Sequence, residues 1–198
     1  MYKDIIEELK THGVHTIILY GSRARGDFTS SSDIDMLGFR DEGEEERIAR
    51  WDEAYRCYLD IFIEPVQAFN DAYLRLFGGK ILLDKDDFGK QLLAEVNRVM
   101  QKPFQLSKNE WQSRVIWYKK MIERAKKQDI EGLYRHQWVL HTLIEDFFAF
   151  RGMHYLGPKQ GFQYLKKHHP EIYLTYEKAL LSPNHVEILK ALVDMIVL

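Results

Sequence analysis

The chain has 198 residues, is 45% hydrophobic and carries a formal net charge of −2, which suits a globular protein long enough for one or two cores. Cys57 is the single cysteine and excludes an internal disulfide, the N-terminus is charged from Lys3, and no apolar run approaches the ~20 residues of a membrane span; the expectation is a cytoplasmic protein with no membrane partner. Charge is uneven: residues 1–103 carry 14 Lys+Arg against 20 Asp+Glu, a net of −6, whereas residues 104–198 carry 14 against 10, a net of +4, and neither half has the dense basic stripe of a duplex-binding protein.

In chain order, DIIEELKTHG predicts a helix with Ile5, Ile6 and Leu9 at helical spacing and Gly13 as its stop. HTIILY predicts a strand, and DIDMLGF a second. The charged segment DEGEEERIARWDEAYR predicts a helix with Ile48, Trp51 and Tyr55 on one stripe. RCYLDIFIE predicts a third strand, VQAFNDAYLRLFGG a helix ending in glycines, KILLD a short strand and DDFGKQLLAEVNRVMQ a further helix. Pro103 breaks the pattern. Beyond it every segment has helical spacing: residues 107–127, 129–152, 159–168, 171–181 and 184–198. The expected fold class is α+β, with a mixed β-sheet domain over residues 1–103 followed by an all-α helical bundle over residues 104–198.

The stretch YGSRARGDFTSSSDIDM joins the first two strands. Residues two apart in a strand share a face, so Asp33 and Asp35 project together. Two close carboxylates repel each other unless a cation sits between them, and hard oxygens suit Mg²⁺. Ahead of them, Gly21 and Gly26 allow close backbone approach, Ser22 offers an N–H and a hydroxyl, and Arg23 and Arg25 add positive charge. A helix starting near Ser22 would turn its first amides toward an anion. A metal and phosphates in one pocket are the outfit of phosphoryl or nucleotidyl transfer.

Gly21-Ser22, the arginine-glycine pair and Asp33-Ile34-Asp35 occur in order and at suitable spacing. This string resembles the signature of the DNA polymerase β-type nucleotidyltransferase superfamily, in particular its small bacterial members, the minimal and the antibiotic nucleotidyltransferases. The resemblance covers residues 14–64 and is looser up to Pro103. It implies that Gly21 and Ser22 contact a nucleoside triphosphate, ATP by expectation, with Arg25 beside them. It implies that Asp33 and Asp35 bind two Mg²⁺ ions and that a third carboxylate on a later strand binds one of them. Asp60 in YLDIFIE is the candidate, with Leu59, Ile61 and Ile63 on the opposite face, and Glu64 is a second choice. The implied reaction moves a nucleoside monophosphate onto an acceptor hydroxyl.

The helical half bears on the acceptor. DIEGLYRHQWVLHTLIEDFFAFRG is apolar over most of its circumference and is expected at the centre of the bundle. His141 and Glu145 stand four apart on it, either as a hydrogen-bonded pair or with Glu145 as general base for the acceptor. FFAFRGMHYLGPK resembles a segment of helical substrate-binding domains appended to this catalytic fold, which implies that Tyr155 and Lys159 contact a small-molecule acceptor, with an aminoglycoside- or lincosamide-like antibiotic as the expected kind. Two other readings stand beside this one. Arg135 and His141 match the spacing of toxin partners of minimal nucleotidyltransferases, which points to an antitoxin-like protein acting on a protein. The other is a nucleotide-binding regulator. The aromatic content of the helical half is compatible with a homodimer.

Overall fold

The computed structural model describes residues 2–197 and divides into two compact units, Met1–Lys102 and Pro103–Leu198. Met1 and Leu198, the last residue of the expected terminal helix, lie outside the described residues.

The first unit runs α1 (Lys3–Thr11), β1 (Thr16–Tyr20), α2 (Gly21–Arg25), β2 (Ile34–Arg40), β3 (Glu46–Asp52), β4 (Cys57–Pro65), a 3₁₀ turn (Asp71–Leu76), β5 (Lys80–Leu83) and α3 (Phe88–Met100). The strands form one sheet in the order β3-β4-β2-β1-β5. β2 and β4 are parallel and the other neighbours antiparallel, so the sheet is mixed. Both faces are covered, which is why the central strands are nearly continuous apolar runs. On one face Ile17, Leu19, Ile34, Met36, Leu59, Ile61 and Ile63 pack with Ile5 and Leu9 of α1. On the other, Ile18, Leu37 and Phe39 pack with Tyr73, Leu76 and the α3 residues Leu92 and Val96. Asp35 shares this second face at the start of β2, where its side chain keeps partial exposure.

Two segments depart from the expected elements. Residues 46–52, expected as part of a helix, form the edge strand β3. Its three apolar residues fit a helical stripe and a strand about equally, and pairing with the apolar β4 decides in favour of the strand. The helix is also interrupted locally, because Asp52 Oδ1 accepts the amides of Ala54 and Tyr55 at 3.0 Å each and builds the hairpin turn. Residues 66–79, expected as a helix, contain only the 3₁₀ turn. The Asn70 side chain accepts the Ala72 amide at 2.9 Å and delays the start, and Gly78, at φ 75°, turns the chain toward β5.

The second unit is all helical: α4 (Lys108–Ala125), α5 (Ile130–Ala149), α6 (Pro158–His168), α7 (Pro170–Leu181) and α8 (Val186–Val197). Ser107 and Glu110 close a capping box on α4, and the Asp129 side chain caps α5. α5 packs against the other four helices. Val139, Leu143 and Phe147 of α5 lie with Leu165, Leu189 and Leu192 in a single core.

Candidate active site

The site begins at the end of β1. Tyr20 closes the strand, Gly21 takes φ +69°, and α2 starts at once. Tyr20 is the cross-strand partner of Asp35, so Gly21 lies over the start of β2. A Cβ on Gly21 would fall 2.3 Å from Asp35 Oδ2. Glycine is therefore demanded twice, by the left-handed backbone and by the carboxylate packed against it. Ser22 stands in the first turn of α2. Gly26, at φ +88°, ends the helix, its amide and that of Asp27 donating to the Ser22 carbonyl at 2.9 and 3.1 Å.

Arg23 and Arg25 have different surroundings. Arg23 donates through Nε to the Asp33 carbonyl at 3.0 Å and through a terminal nitrogen to the Ser32 carbonyl, also at 3.0 Å. It braces the backbone that presents Asp33. Arg25 lies 3.5 Å from Asp27, and its charge acts on Asp35. Burial, then the charges of Asp33 and Asp60, push the Asp35 carboxyl up to about 6 despite the opposing pull of Arg25 and Arg23.

β4 brings the third carboxylate. Asp60 is the register partner of Asp35 in the parallel β2–β4 pair, so the two stand side by side on one face. Leu59, Ile61 and Ile63 are buried on the other face. Arg47 of β3 grips Asp60 with a two-pronged fork, Nε to Oδ1 at 2.8 Å and a terminal nitrogen to Oδ2 at 3.0 Å. Glu64 lies further along β4, opposite Phe39, and binds Arg75 at 2.7 Å. Arg47 was hidden in the sequence because its segment was expected to be helical; in a strand, 47 faces the β4 residues 60 and 62.

Asp33, Asp35 and Asp60 supply hard oxygen donors, and the repulsion that raises the Asp35 carboxyl is the kind a divalent cation relieves. These residues fit Mg²⁺ in donor chemistry. Among the described residues, no three His, Cys, Asp or Glu side chains already converge as a metal site, and on Asp60 the Arg47 guanidinium supplies the balancing charge.

The candidates in the helical unit separate into two cavities. His141 lines one of about 340 Å³ together with Leu140, Ile144, Tyr155 and Phe162. Lys159 stands in the first turn of α6, next to Pro158, which also lines that cavity. Glu145 lines another of about 370 Å³ with Arg114, Trp117 and Asp146. His141 and Glu145 are both exposed on α5. Burial and, after it, the Glu145 charge push the Tyr155 phenol up. The buried carboxylate of α5 is Asp146, 2% exposed, which accepts from the Tyr118 hydroxyl at 2.6 Å and from Arg114. Its position three residues beyond Leu143, on the buried stripe, is the signal that marks it in the sequence. Arg135 lies over the Tyr134 and Trp138 rings and pairs with Glu131 at 3.4 Å, while the His136 ring bonds to the Ala179 carbonyl at 3.1 Å.

Residues 3–76 match the family model described as Polymerase beta, Nucleotidyltransferase. No curated protein matches the chain. Among solved structures, the chain is similar to a nucleotidyltransferase-like protein from Exiguobacterium sibiricum 255-15, with 12% identity over 99% of this chain and 73% of that one and a TM-score of 0.43.

Proposed function

We propose, from the premise that residues 3–76 are a nucleotidyltransferase domain of the polymerase β type, that the chain transfers a nucleoside monophosphate from a nucleoside triphosphate, ATP by expectation, to a hydroxyl of a small molecule. The observation that carries this reading is the pairing of Asp35 with Asp60 across adjacent strands, with Gly21 packed against Asp35. Gly21 and Ser22, where β1 turns into α2, receive the β- and γ-phosphates, and Arg25 adds charge there. Asp33, Asp35 and Asp60 would hold Mg²⁺, which would neutralise charge on the α-phosphate and make the acceptor hydroxyl more acidic. The Arg47 fork takes one lone pair on each Asp60 oxygen and leaves the others for a ligand bond. The acceptor oxygen bonds to the α-phosphorus, the α–β bridging P–O bond breaks, and pyrophosphate carries away that electron pair. The acceptor's proton passes to solvent; Glu145 and, apart from it, His141, Tyr155 and Lys159 remain sequence-based candidates for the acceptor, in two separate parts of the helical unit.

The test is transfer of label from α-labelled ATP, with Mg²⁺, to hydroxylated small molecules, aminoglycosides and lincosamides among them, and to proteins. Asp35→Asn should fold and lose transfer almost to background. Near-normal turnover in that variant removes the metal-carboxylate reading, and label appearing on a protein instead of a small molecule removes the acceptor class.

A further inference from the structure

The end of the β3–β4 hairpin holds a cavity of about 310 Å³, lined by Ser30, Ser31, Asp33, Trp51, Cys57 and Tyr58. Trp51 and Tyr58 are register partners, their ring centroids 5.2 Å apart and their planes at 77°. They are 45% and 58% exposed. A single exposed ring on a sheet is ordinary, but two paired rings at a cavity that also contains Asp33 make a contiguous apolar surface beside the reacting carboxylates. Tyr58 precedes Asp60 by two residues on β4, so it shares the face of Asp60 one pleat repeat away, ~7 Å along the strand.

The order of the sheet gives this surface a direction. Across the strands stand, in turn, Gly21 and Ser22 after β1, Asp35 on β2, Asp60 and Tyr58 on β4, and Trp51 on β3. In-line displacement at phosphorus puts the attacking and leaving oxygens on opposite sides. With pyrophosphate leaving toward Gly21 and Ser22, the attacking hydroxyl arrives from the side of β4 and β3, where the two rings are. This direction rests on the nucleotidyl-transfer reading given above; the ring surface and its cavity do not.

We propose that Trp51 and Tyr58 form the platform on which the acceptor rests, and that the acceptor is a hydroxylated ring compound, neutral or cationic. Its flat face lies on the two side chains and its reacting hydroxyl points along β4 toward Asp60. Before metal binds the lining is acidic, which disfavours a ring that carries negative charge. Asp33 is the charged residue among the described residues of that lining, Ser30 and Ser31 offer hydroxyls, and Arg23, which stands behind Cys57, is engaged by the Ser32 and Asp33 carbonyls. Trp51 and Tyr58 are positioning residues that bind the ring and leave the phosphate chemistry to the carboxylates. Stacking on one aromatic side chain is worth a factor of roughly ten in affinity.

The experiment uses the full chain with its four tryptophans labelled as 5-fluorotryptophan. Trp51→Phe assigns the Trp51 fluorine resonance. Phenyl glycosides, aminocyclohexanols, cyclohexanediols and phenols are titrated with and without Mg²⁺ and a non-hydrolysable ATP analogue, and a hydroxybenzoate serves as the anionic control. A neutral or cationic hydroxylated ring should move the Trp51 resonance, the hydroxybenzoate should not, and Tyr58→Ala should raise that compound's Kd about tenfold. The proposal is overturned if no neutral or cationic ring moves the Trp51 resonance, or if the ATP analogue alone moves it as far, which would make this a nucleobase site. A ring compound that still moves Trp51 in a protein unable to bind the ATP analogue leaves the ring site standing and removes the transfer reading instead.

Discussion

At the scale of single residues, the site turns on the carboxylate of Asp35. Its carboxyl is raised from 3.8 to about 6, first by burial and then by Asp33 and Asp60. Below about 4 the group is protonated in folded and unfolded chains alike. Between about 4 and 6 the unfolded chain releases its proton while the folded chain keeps it, so the stability of the metal-free protein falls as pH rises through that window and stays lower above it. Calorimetry of the metal-free protein should show a melting temperature that declines across this range, and Asp35→Asn should flatten the decline. Mg²⁺ at pH 7 should raise the melting temperature of the parent and leave the variant nearly unchanged. A variant with the parent's full pH slope would put the titrating group elsewhere. Much of this site was legible in the sequence, because Gly21, Ser22, Asp33 and Asp35 lie within one short stretch. The contact of Gly21 with Asp35 was not, since it arises from the β1–β2 register and not from spacing along the chain.

At the scale of elements, β3 and α5 matter most. β3 was illegible because its outward residues are charged and its inward ones few, so only pairing with β4 identifies it as a strand. That pairing places the Arg47 fork on Asp60, where on the proposed reading the guanidinium would weaken the hold of the same carboxylate on a metal. Arg47→Ala should therefore bind Mg²⁺ roughly twofold to fivefold more tightly in titration calorimetry, the range expected for an exposed pair. Weaker binding would mean that Arg47 supports the metal ligand and does not mask it. α5 was legible as the central helix of the second unit, but the roles of its neighbouring acids were not. Glu145 is exposed, whereas Asp146 is buried between Tyr118 and Arg114. Removing Asp146 leaves the buried Tyr118 hydroxyl without its acceptor, at a cost of about 1–3 kcal/mol, while the partly exposed Arg114 turns to water. Asp146→Ala should lower the stability of the helical unit by about that amount in a denaturant titration, while Glu145→Gln should leave it unchanged. An equal loss in both variants would contradict the burial difference.

At the scale of the whole molecule, the two units have separate cores. Among the described residues, the clusters on the two faces of the sheet are made of first-unit residues and the helical core of second-unit residues. Two-residue alternation and unbroken apolar runs in the first half, against three-to-four spacing after Pro103, are what made this division readable from sequence. Residues 1–102, expressed alone, should unfold cooperatively and bind a non-hydrolysable ATP analogue with Mg²⁺ as tightly as the full chain does, since every residue assigned to phosphate or metal lies within them. An unfolded fragment would show that the sheet depends on the helical unit for its stability.

The missing side chain at position 21 separates two kinds of selection. A methyl group there would collide with a carboxylate whether or not any nucleotide is present. In a saturation library sorted only for soluble expression, position 21 should already be depleted of everything but glycine. Asp33, exposed at the mouth of β2, should accept many residues in that sort and few in one for nucleotidyl transfer. The ratio of the two enrichments, residue by residue, would draw the outline of the catalytic machinery, and Gly21 would fall outside that outline despite lying against its centre.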